Sequence, residues 1–355
     1  MNILDRYIVV TILKSVLTVI LVVLGVVTVI EFVGQLDDVG TAQYGFQHAL
    51  AYVALRIPRT IFQILPAAAL LGALLSLGNL AAHSELVVMR ASGVSRLRMA
   101  GSVAIAGTVL LVLMALLGES LAPSLGAYAR QVRSQALIEN VDIANARSAW
   151  MKDGDRILNF RRADDGINFG SVHLFELDSR GALHQVASAD SAEIDREQRW
   201  VLANYAASQF SDDGVTSSTE SRSVQNYNLS LELLGFSEVR EDLLDTQGLM
   251  QYIQYLEQND LDADRYITAY WARISSGVSV LLMPFLALPF VSGELRTSGT
   301  GARLVLGLLI GLVYYVVAQT FESSGEVFDI DPIVVAWLPS SILFGITAVA
   351  LLRIR

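Results

Sequence analysis

The chain has no cysteine, so no disulfide framework holds it together. Lysine is almost missing: Lys14 and Lys152 are the only two in 355 residues. Charged residues of all kinds make up 17%, where a soluble globular chain carries about 25%. The deficit is concentrated in long uncharged runs, which points to a bilayer rather than to a large soluble core. The shortage of lysine excludes something further. A phosphate-cradling P-loop requires a glycine, then lysine, then Ser or Thr. Leu13 precedes Lys14 and Asp153 follows Lys152, so the chain lacks that machinery for nucleotide hydrolysis. A net charge of -10 with arginine-only basic patches makes a poor nucleic-acid binder. His48, His83, His173 and His184 are scattered without metal-ligand spacing, which leaves them surface or structural roles. No glycine-flanked serine elbow is present.

What is present is a set of six apolar segments, roughly Ile12–Val33, Arg59–Leu80, Met99–Gly118, Ile274–Val291, Leu304–Phe321 and Ile333–Leu352. Each is close to the roughly 20 residues that a crossing requires. Arg6, Lys14 and the run Ser15–Ile30 imitate a signal peptide, but Glu31-Phe32-Val33 is no cleavage site, so the run reads as a retained span. Pro66, Pro284 and Pro289 fall inside spans and predict kinks. Charged residues are missing from the middle of every span. Ion-coupled carriers keep such costly groups at membrane depth as relays, so the clean spans argue against one and suit a permease moved by an outside motor.

Basic residues set the expected orientation. Arg6, Lys14, Arg90, Arg96, Arg98, Arg296, Arg303, Arg353 and Arg355 collect on one side, whereas the loop Glu322–Asp331 on the other has four acidic residues and no basic one. Asp37 and Asp38 join that acidic side, although Arg56 and Arg59 sit there too. Both termini are expected in the cytoplasm, with about 140–250 outside it. That segment alternates polar and apolar residues, as in Val172-His173-Leu174-Phe175-Glu176-Leu177. Turn signals recur at Asp164-Asp165-Gly166, Ser179-Arg180-Gly181 and Asp212-Asp213-Gly214. Short strands at this spacing predict an antiparallel sandwich or jelly roll. Residues 141–250 hold 19 acidic and 10 basic residues, a difference of -9 that nearly equals the net charge of the chain and marks a solvated domain. Glu119–Asn145 and Asp245–Arg273 are expected as helices flanking it, with Arg130 and Arg133 on one helical face. The domains are thus 1–139, a first half of three spans; 140–250, the inserted β-domain; and 251–355, a second half of three spans.

The stretch His83 to Val94 between spans two and three is the most informative. Ser84 suits the cap of a short helix and Gly93 its left-handed end. Leu86, Val87 and Met89 are more apolar than a solvated loop requires, and Glu85 suits the helix start. The residues alone fit equally an interfacial helix that turns the chain and a coupling helix that docks on a cytoplasmic ATPase. Gly307-x-x-x-Gly311 and Gly72-x-x-x-Ser76 allow close helix approach, either inside one subunit or against a second chain.

Three stretches carry a resemblance. Leu4-Asp5-Arg6-Tyr7, the run Pro66 to Leu75 (Pro66-x-Ala68-x-Leu70-Leu71-Gly72-Ala73-Leu74-Leu75) and Ser84-Glu85-Leu86-Val87-Val88-Met89-x-Ala91-Ser92-Gly93 resemble the LptF/LptG permeases, with the LptG branch the nearer. The resemblance runs the length of the chain: three spans, a periplasmic β-jellyroll, three spans. It implies an α-helical protein of the Gram-negative inner membrane with six transmembrane helices, serving as a permease subunit of the ABC transporter that extracts lipopolysaccharide. The implied partners are an LptF permease, an LptB ATPase dimer that binds the ATP and Mg, LptC, and the periplasmic bridge protein LptA. No cofactor is implied in this chain. The first and fifth spans would line a central cavity and form lateral gates, with Gly307 and Gly311 in gate packing. Ser84, Glu85, Leu86, Met89 and Arg90 would form the ATPase contact. Arg59, Arg130 and Arg133 would lie near the lipid A phosphates, where arginine forks fit geometrically. In one departure, family members often carry lysine near the outer end of span one, whereas this chain has Glu31, Asp37 and Asp38. A divalent cation bridging those carboxylates to phosphate is the speculative alternative. A rival from another class is a non-transporting membrane adaptor whose β-domain binds a partner.

Overall fold

The computed structural model describes residues 3–137, 148–162, 168–178, 181–195, 199–211, 214–227, 240–292, 300–328 and 330–353. Among them are nine α-helices: α1 (Ile3–Gln35), α2 (Phe46–Ala82), α3 (Glu85–Ala91), α4 (Arg96–Leu116), α5 (Ala122–Leu137), α6 (Thr246–Gln258), α7 (Asp264–Ser292), α8 (Thr300–Phe328) and α9 (Pro332–Arg353). Six stretches of the described residues are long and apolar enough to cross a membrane, with α4 and α5 counted as one. They run longer than the apolar sequence suggests. At 1.5 Å per residue, the 37 residues of α2 extend about 55 Å, well beyond a hydrocarbon core of about 30 Å. Residues 46–58, ahead of the expected span and with Arg56 among them, are helical as well.

Helix α2 is the centre of the bundle, with α1, α5, α7 and α8 packed around it. In its most apolar stretch 67% of residues are buried, against 17% in α1 and 11% in α8. Ile8, Val9, Ile12, Val16, Val19 and Ile20 form the one stripe by which α1 meets this core. Glycine permits the close approaches. A Cβ at Gly72 would lie 2.6 Å from the Cα of Val16, and one at Gly118 2.8 Å from Cε2 of Phe62. Between α7 and α9, Ser340 donates to the carbonyl of Ser275 at 3.0 Å, with its Oγ 2.7 Å from that of Ser279. Neutral hydroxyls joined this way hold membrane helices together without burying a charge.

The third crossing and the helix expected after it are joined, α4 continuing into α5 through a π-helical turn, Leu117–Leu121, that the sequence did not announce. Pro123 explains the wide turn: it has no N–H, and its ring would collide with the carbonyl of residue 119 in a regular α-helix. The expected helix Glu119–Asn145 is described only to Leu137. The expected helix Asp245–Arg273 is two helices. Asp260 takes a left-handed φ of +52°, and the amides of Asp260 and Leu261 donate to Glu257 and Leu256. This is a Schellman end, with Asp where glycine is usual.

Residues 138–240 with 251–262 form one compact unit, and the remainder forms the other. The first contains, among its described residues, seven antiparallel strands: β1 (Ser148–Asp153), β2 (Arg156–Arg162), β3 (Asn168–Leu177), β4 (Leu183–Ala189), β5 (Ser191–Ile194), β6 (Trp200–Ser211) and β7 (Gly214–Gln225). β4 and β5 keep a common register against β3 on one side and β6 on the other, so they form one strand bent at Asp190. Successive strands therefore lie side by side. The sheet curls, because Phe160 on β2 and Trp200 on β6 touch with ring centres 5.8 Å apart, whereas three flat strand spacings would separate them by about 14 Å. Phe169 stacks on Trp200 at 5.1 Å and completes the core. The expected turn signals fall between β2 and β3, β3 and β4, and β6 and β7. Residues 163–167, 179–180 and 212–213 themselves lie outside the described residues.

Lys152, one of the two lysines, serves this unit. Its ammonium donates to the carbonyl of Asn259 at 2.7 Å, and the Asn259 side chain accepts from the Gly154 amide at 2.8 Å. Of the histidines, His48 accepts from the Gly45 amide at 3.2 Å at the start of α2, and His83 lies 3.0 Å from the carbonyl of Asn79 at its end.

Candidate functional site

Two groups of residues in the helical unit merit construction from their neighbours. The first surrounds α3. The chain leaves α2 through His83 and turns at Ser84, whose φ of +59° is left-handed. Ser84 occupies the cap position, but its side chain makes no capping bond. The Ser84 carbonyl instead accepts from the amides of Val87 and Val88 at 3.1 and 3.0 Å. The expected side-chain cap is thus replaced by backbone bonding, because this residue also makes the reversal from α2. The other end matches expectation: Gly93 has φ +93°, and the amides of Gly93 and Val94 donate to Arg90 and Met89 in a Schellman motif.

Seven residues form two turns, and their faces differ. Met89 is buried in the helical core, with Leu86 and Val94 packed on that core. Val87 and Val88 are 43% and 66% exposed, and Ser84 and Arg90 are exposed as well. The apolar surface that α3 offers outward is therefore Val87 and Val88, neither of which was in the expected contact set, rather than Leu86 and Met89. Their position in a two-turn helix was the available signal, since residues 86 and 89 share a face. The Glu85 carboxylate accepts from the Tyr7 hydroxyl of α1 at 2.9 Å.

The second group is an arginine cluster made by α2 and α5. Arg59 and Arg130 both pair with the carboxylate of Asp242, the latter at 3.2 Å. Arg133 pairs with Asp38 at 2.5 Å, and Arg56 with Glu31 at 2.7 Å. The Tyr52 ring lies between two of them, 5.5 Å from the Arg56 guanidinium and 5.4 Å from that of Arg133. Four guanidiniums thus meet three carboxylates from three parts of the chain: α1, the 3-10 turn Leu36–Asp38, and the 3-10 turn Glu241–Leu243. The structure brings Arg59 and Arg130 together on one counter-ion and sets Arg133 beside Tyr52. Arg56 and Asp242 were missed. Asp242 is distant in sequence and sits in an acidic stretch that reads as solvated surface. No group of three or more potential metal ligands occurs among the described residues. Glu31 and Asp38 act as counter-ions to arginine.

Gly307 and Gly311 lie on α8 against α2 of the same chain. A Cβ at Gly307 would meet Leu71 and Leu74 at 2.7 and 2.9 Å, and one at Gly311 would meet the Ala67 Cβ at 3.0 Å. Of the two packing partners left open by the sequence, the structure supplies the internal one.

Six membrane-length helices on one buried axis, a β unit inserted between the third and fourth, and a short amphipathic turn define a polytopic membrane protein of permease type. The chain belongs to the LptF/LptG family, described as the lipopolysaccharide export system permease, which it matches over residues 6–353. It is 34% identical to the lipopolysaccharide export system permease protein LptG of Escherichia coli (strain K12) over 99% of this chain and 98% of that one. It is 32% identical to LptG of Haemophilus influenzae over 96% of this chain and 95% of that one. To LptF of Escherichia coli (strain K12) it is 23% identical over 97% and 93%.

Proposed function

We propose that this chain is a permease subunit of the ABC transporter that extracts lipopolysaccharide from the inner membrane of a Gram-negative bacterium and hands it to a periplasmic bridge of β-jellyroll domains. Family membership supplies the class, and one observation of geometry supports the mechanism. The first and fifth crossings, α1 and α8, have the smallest buried shares of the six, 17% and 11%. A helix that is apolar all round and largely uncovered within its own chain suits a lateral gate, whose other side is lipid, cargo or a second permease. Glycine notches at Gly72, Gly307 and Gly311 let both helices ride close on α2.

In this reading both termini and α3 face the cytoplasm, the β-domain of about 140–250 is periplasmic, and an LptF-type chain completes the cavity. ATP and Mg bind to an LptB-type ATPase dimer, since this chain has no P-loop lysine. LptC and LptA stand as the further partners. Helix α3 presents Ser84, Glu85, Arg90 and the exposed Val87 and Val88 to the ATPase. Leu86 and Met89 anchor the helix to the bundle, so that a push on α3 reaches α2 directly. Arg59, Arg130 and Arg133 recognise lipid A phosphates by exchanging internal carboxylates for phosphate oxygens. This keeps the half-buried guanidiniums paired at every stage.

The test is association with the motor. Co-expressed with an LptF-type permease and candidate ATPase, the chain is expected to co-purify with the ATPase. Glu85→Lys is expected to reduce recovery about tenfold or more, because it reverses the charge that α3 presents to the ATPase. Normal recovery and normal export with Glu85→Lys would remove α3 as the coupling element.

A further inference from the structure

The N-terminal motif Leu4-Asp5-Arg6-Tyr7 has no role in the mechanism above, yet it lies at the junction of three helices. Asp5 Oδ1 accepts from Arg98 Nε at 3.4 Å and from Ser102 Oγ at 3.2 Å, which ties the base of α1 to α4. Asp5 is also a carboxylate in the first turn of α1, where the helix dipole favours it. Half a turn on, the Tyr7 hydroxyl donates to Glu85 Oε2 at 2.9 Å. Helix α3 is joined to α2 by the peptide chain; Tyr7 joins it to α1 as well.

The remainder of α1 is arranged as a lever. Val16 rests in the Gly72 notch of α2, with no room for even a methyl group between the backbones. Beyond it Leu21, Val22, Val26, Val29, Ile30 and Val33 are exposed. At 1.5 Å per residue, the arm from Tyr7 to Val16 is about 13 Å and that from Val16 to Val33 about 25 Å. A stiff helix turning about the Val16–Gly72 contact roughly doubles, along its exposed arm, a displacement imposed at Tyr7. The outer end is held by the Arg56–Glu31 pair and by Phe32 edge-on to Phe46 at 5.3 Å, contacts that such a swing would exchange.

We propose that Tyr7 is a positioning residue for transport: its hydroxyl holds the Glu85 carboxylate in place on α3 and carries displacement of that helix into α1, the first gate helix. The proposal rests on the reading of Glu85 as an ATPase contact. A phenol donating to a carboxylate is a charge-assisted bond, stronger than a neutral one, and Phe at this position removes the bond while keeping the ring.

The experiment uses the purified complex of both permeases and the ATPase, in nanodiscs containing lipopolysaccharide. Three quantities are read: ATPase recovered with the complex, ATP hydrolysed, and lipid released per ATP. Tyr7→Phe is expected to recover the ATPase at the wild-type ratio while lipid released per ATP falls roughly tenfold, the scale of one hydrogen bond to a charged group. Glu85→Gln is expected to lower the same ratio. The double variant should fall by less than the product of the two single losses, because both changes act on one shared bond, which Glu85→Gln weakens by removing its charge and Tyr7→Phe deletes. An unchanged lipid-to-ATP ratio in Tyr7→Phe, or losses that multiply in the double variant, overturns the role of Tyr7 even where Glu85→Gln is defective. Loss of ATPase recovery or of thermal stability in Tyr7→Phe would make the residue structural and equally overturn it. If Glu85→Gln itself leaves ATPase recovery and lipid release unchanged, the reading of Glu85 fails first and takes the proposal with it.

Discussion

Asp242 changes what Arg59 and Arg130 can offer an incoming phosphate. Both guanidiniums share its carboxylate, so under the proposed role of these arginines a lipid phosphate would replace an internal anion rather than meet a bare positive patch. With Asp242→Asn that competitor disappears and the arginines face one another with less compensation. Photo-crosslinking of lipopolysaccharide from residue 59 or 130 is expected to rise about three- to tenfold and to fall more steeply with salt, as contacts between net charges do. Equal crosslinking in both forms would show that Asp242 is only structural. In the β unit, Tyr227 is a second residue with a legible consequence. It lies edge-on to Trp200 at 5.8 Å, and burial pushes its phenol well above the usual value of 10.0. The folded chain keeps this proton where the unfolded chain releases it. The stabilisation is therefore complete below pH 10.0 and is lost as pH rises through the raised folded value. Thermal melts followed by tryptophan fluorescence are expected to stay level up to about pH 10 and to drop above it, and to drop less in Tyr227→Phe. Identical slopes would contradict this.

Among elements, the glycine notches predict a rank order. A Cβ at Gly72 meets the backbone of Val16, which cannot rotate away; at Gly307 it meets the ends of Leu71 and Leu74, which can; at Gly311 it meets the Ala67 Cβ at 3.0 Å and its Cα at an ordinary 3.5 Å. Gly72→Ala is therefore expected to destabilise most, by about 1–3 kcal/mol, with Gly307→Ala milder and Gly311→Ala mildest. Thermal unfolding in detergent followed by size-exclusion fluorescence checks the order, and a Gly72→Ala protein as stable as Gly311→Ala would refute it. The short helix α3 illustrates how far an element could be read in advance. Gly93, with its positive φ, was a sound stop signal, because glycine alone enters that conformation at no steric cost. The start at Ser84 was also legible, but its side chain makes no capping bond because the residue is spent on reversing the chain. The break at Asp260 between α6 and α7 had a weak signal only, the pair Asn259-Asp260, and the Asn259 side chain that fixes it bonds to Gly154, a residue 105 positions away.

At the scale of the whole molecule, the arrangement of charges still has to be fixed to a side of the membrane. The native absence of cysteine makes single-cysteine labelling clean. Ala91→Cys lies on exposed α3 and Ser218→Cys on exposed β7. A membrane-impermeant maleimide applied to spheroplasts is expected to label Ser218→Cys and to spare Ala91→Cys until the membrane is opened. The reverse pattern would place the α3 turn outside and end the role of a cytoplasmic motor acting through it. The two compact units divide the chemistry. The helical unit contains α3, the arginine cluster and the two sparsely covered crossings, and the β unit encloses an aromatic core of Phe160, Phe169 and Trp200.

The sequence by itself determined the number of crossings, the inserted β-domain, the lack of a P-loop lysine and the short helix that ends at Gly93. Each follows from local pattern: length of apolar runs, alternation of side chains, a missing lysine, a glycine in a turn. Only the tertiary structure decided that Val87 and Val88 face outward, that Asp242 and Asp38 already occupy the arginines, and that Tyr7 reaches Glu85. Those facts depend on which side chains meet across tens to hundreds of residues. Opposite charges and donor–acceptor pairs carry no mark in sequence of the partner that helix packing will bring within about 3 Å.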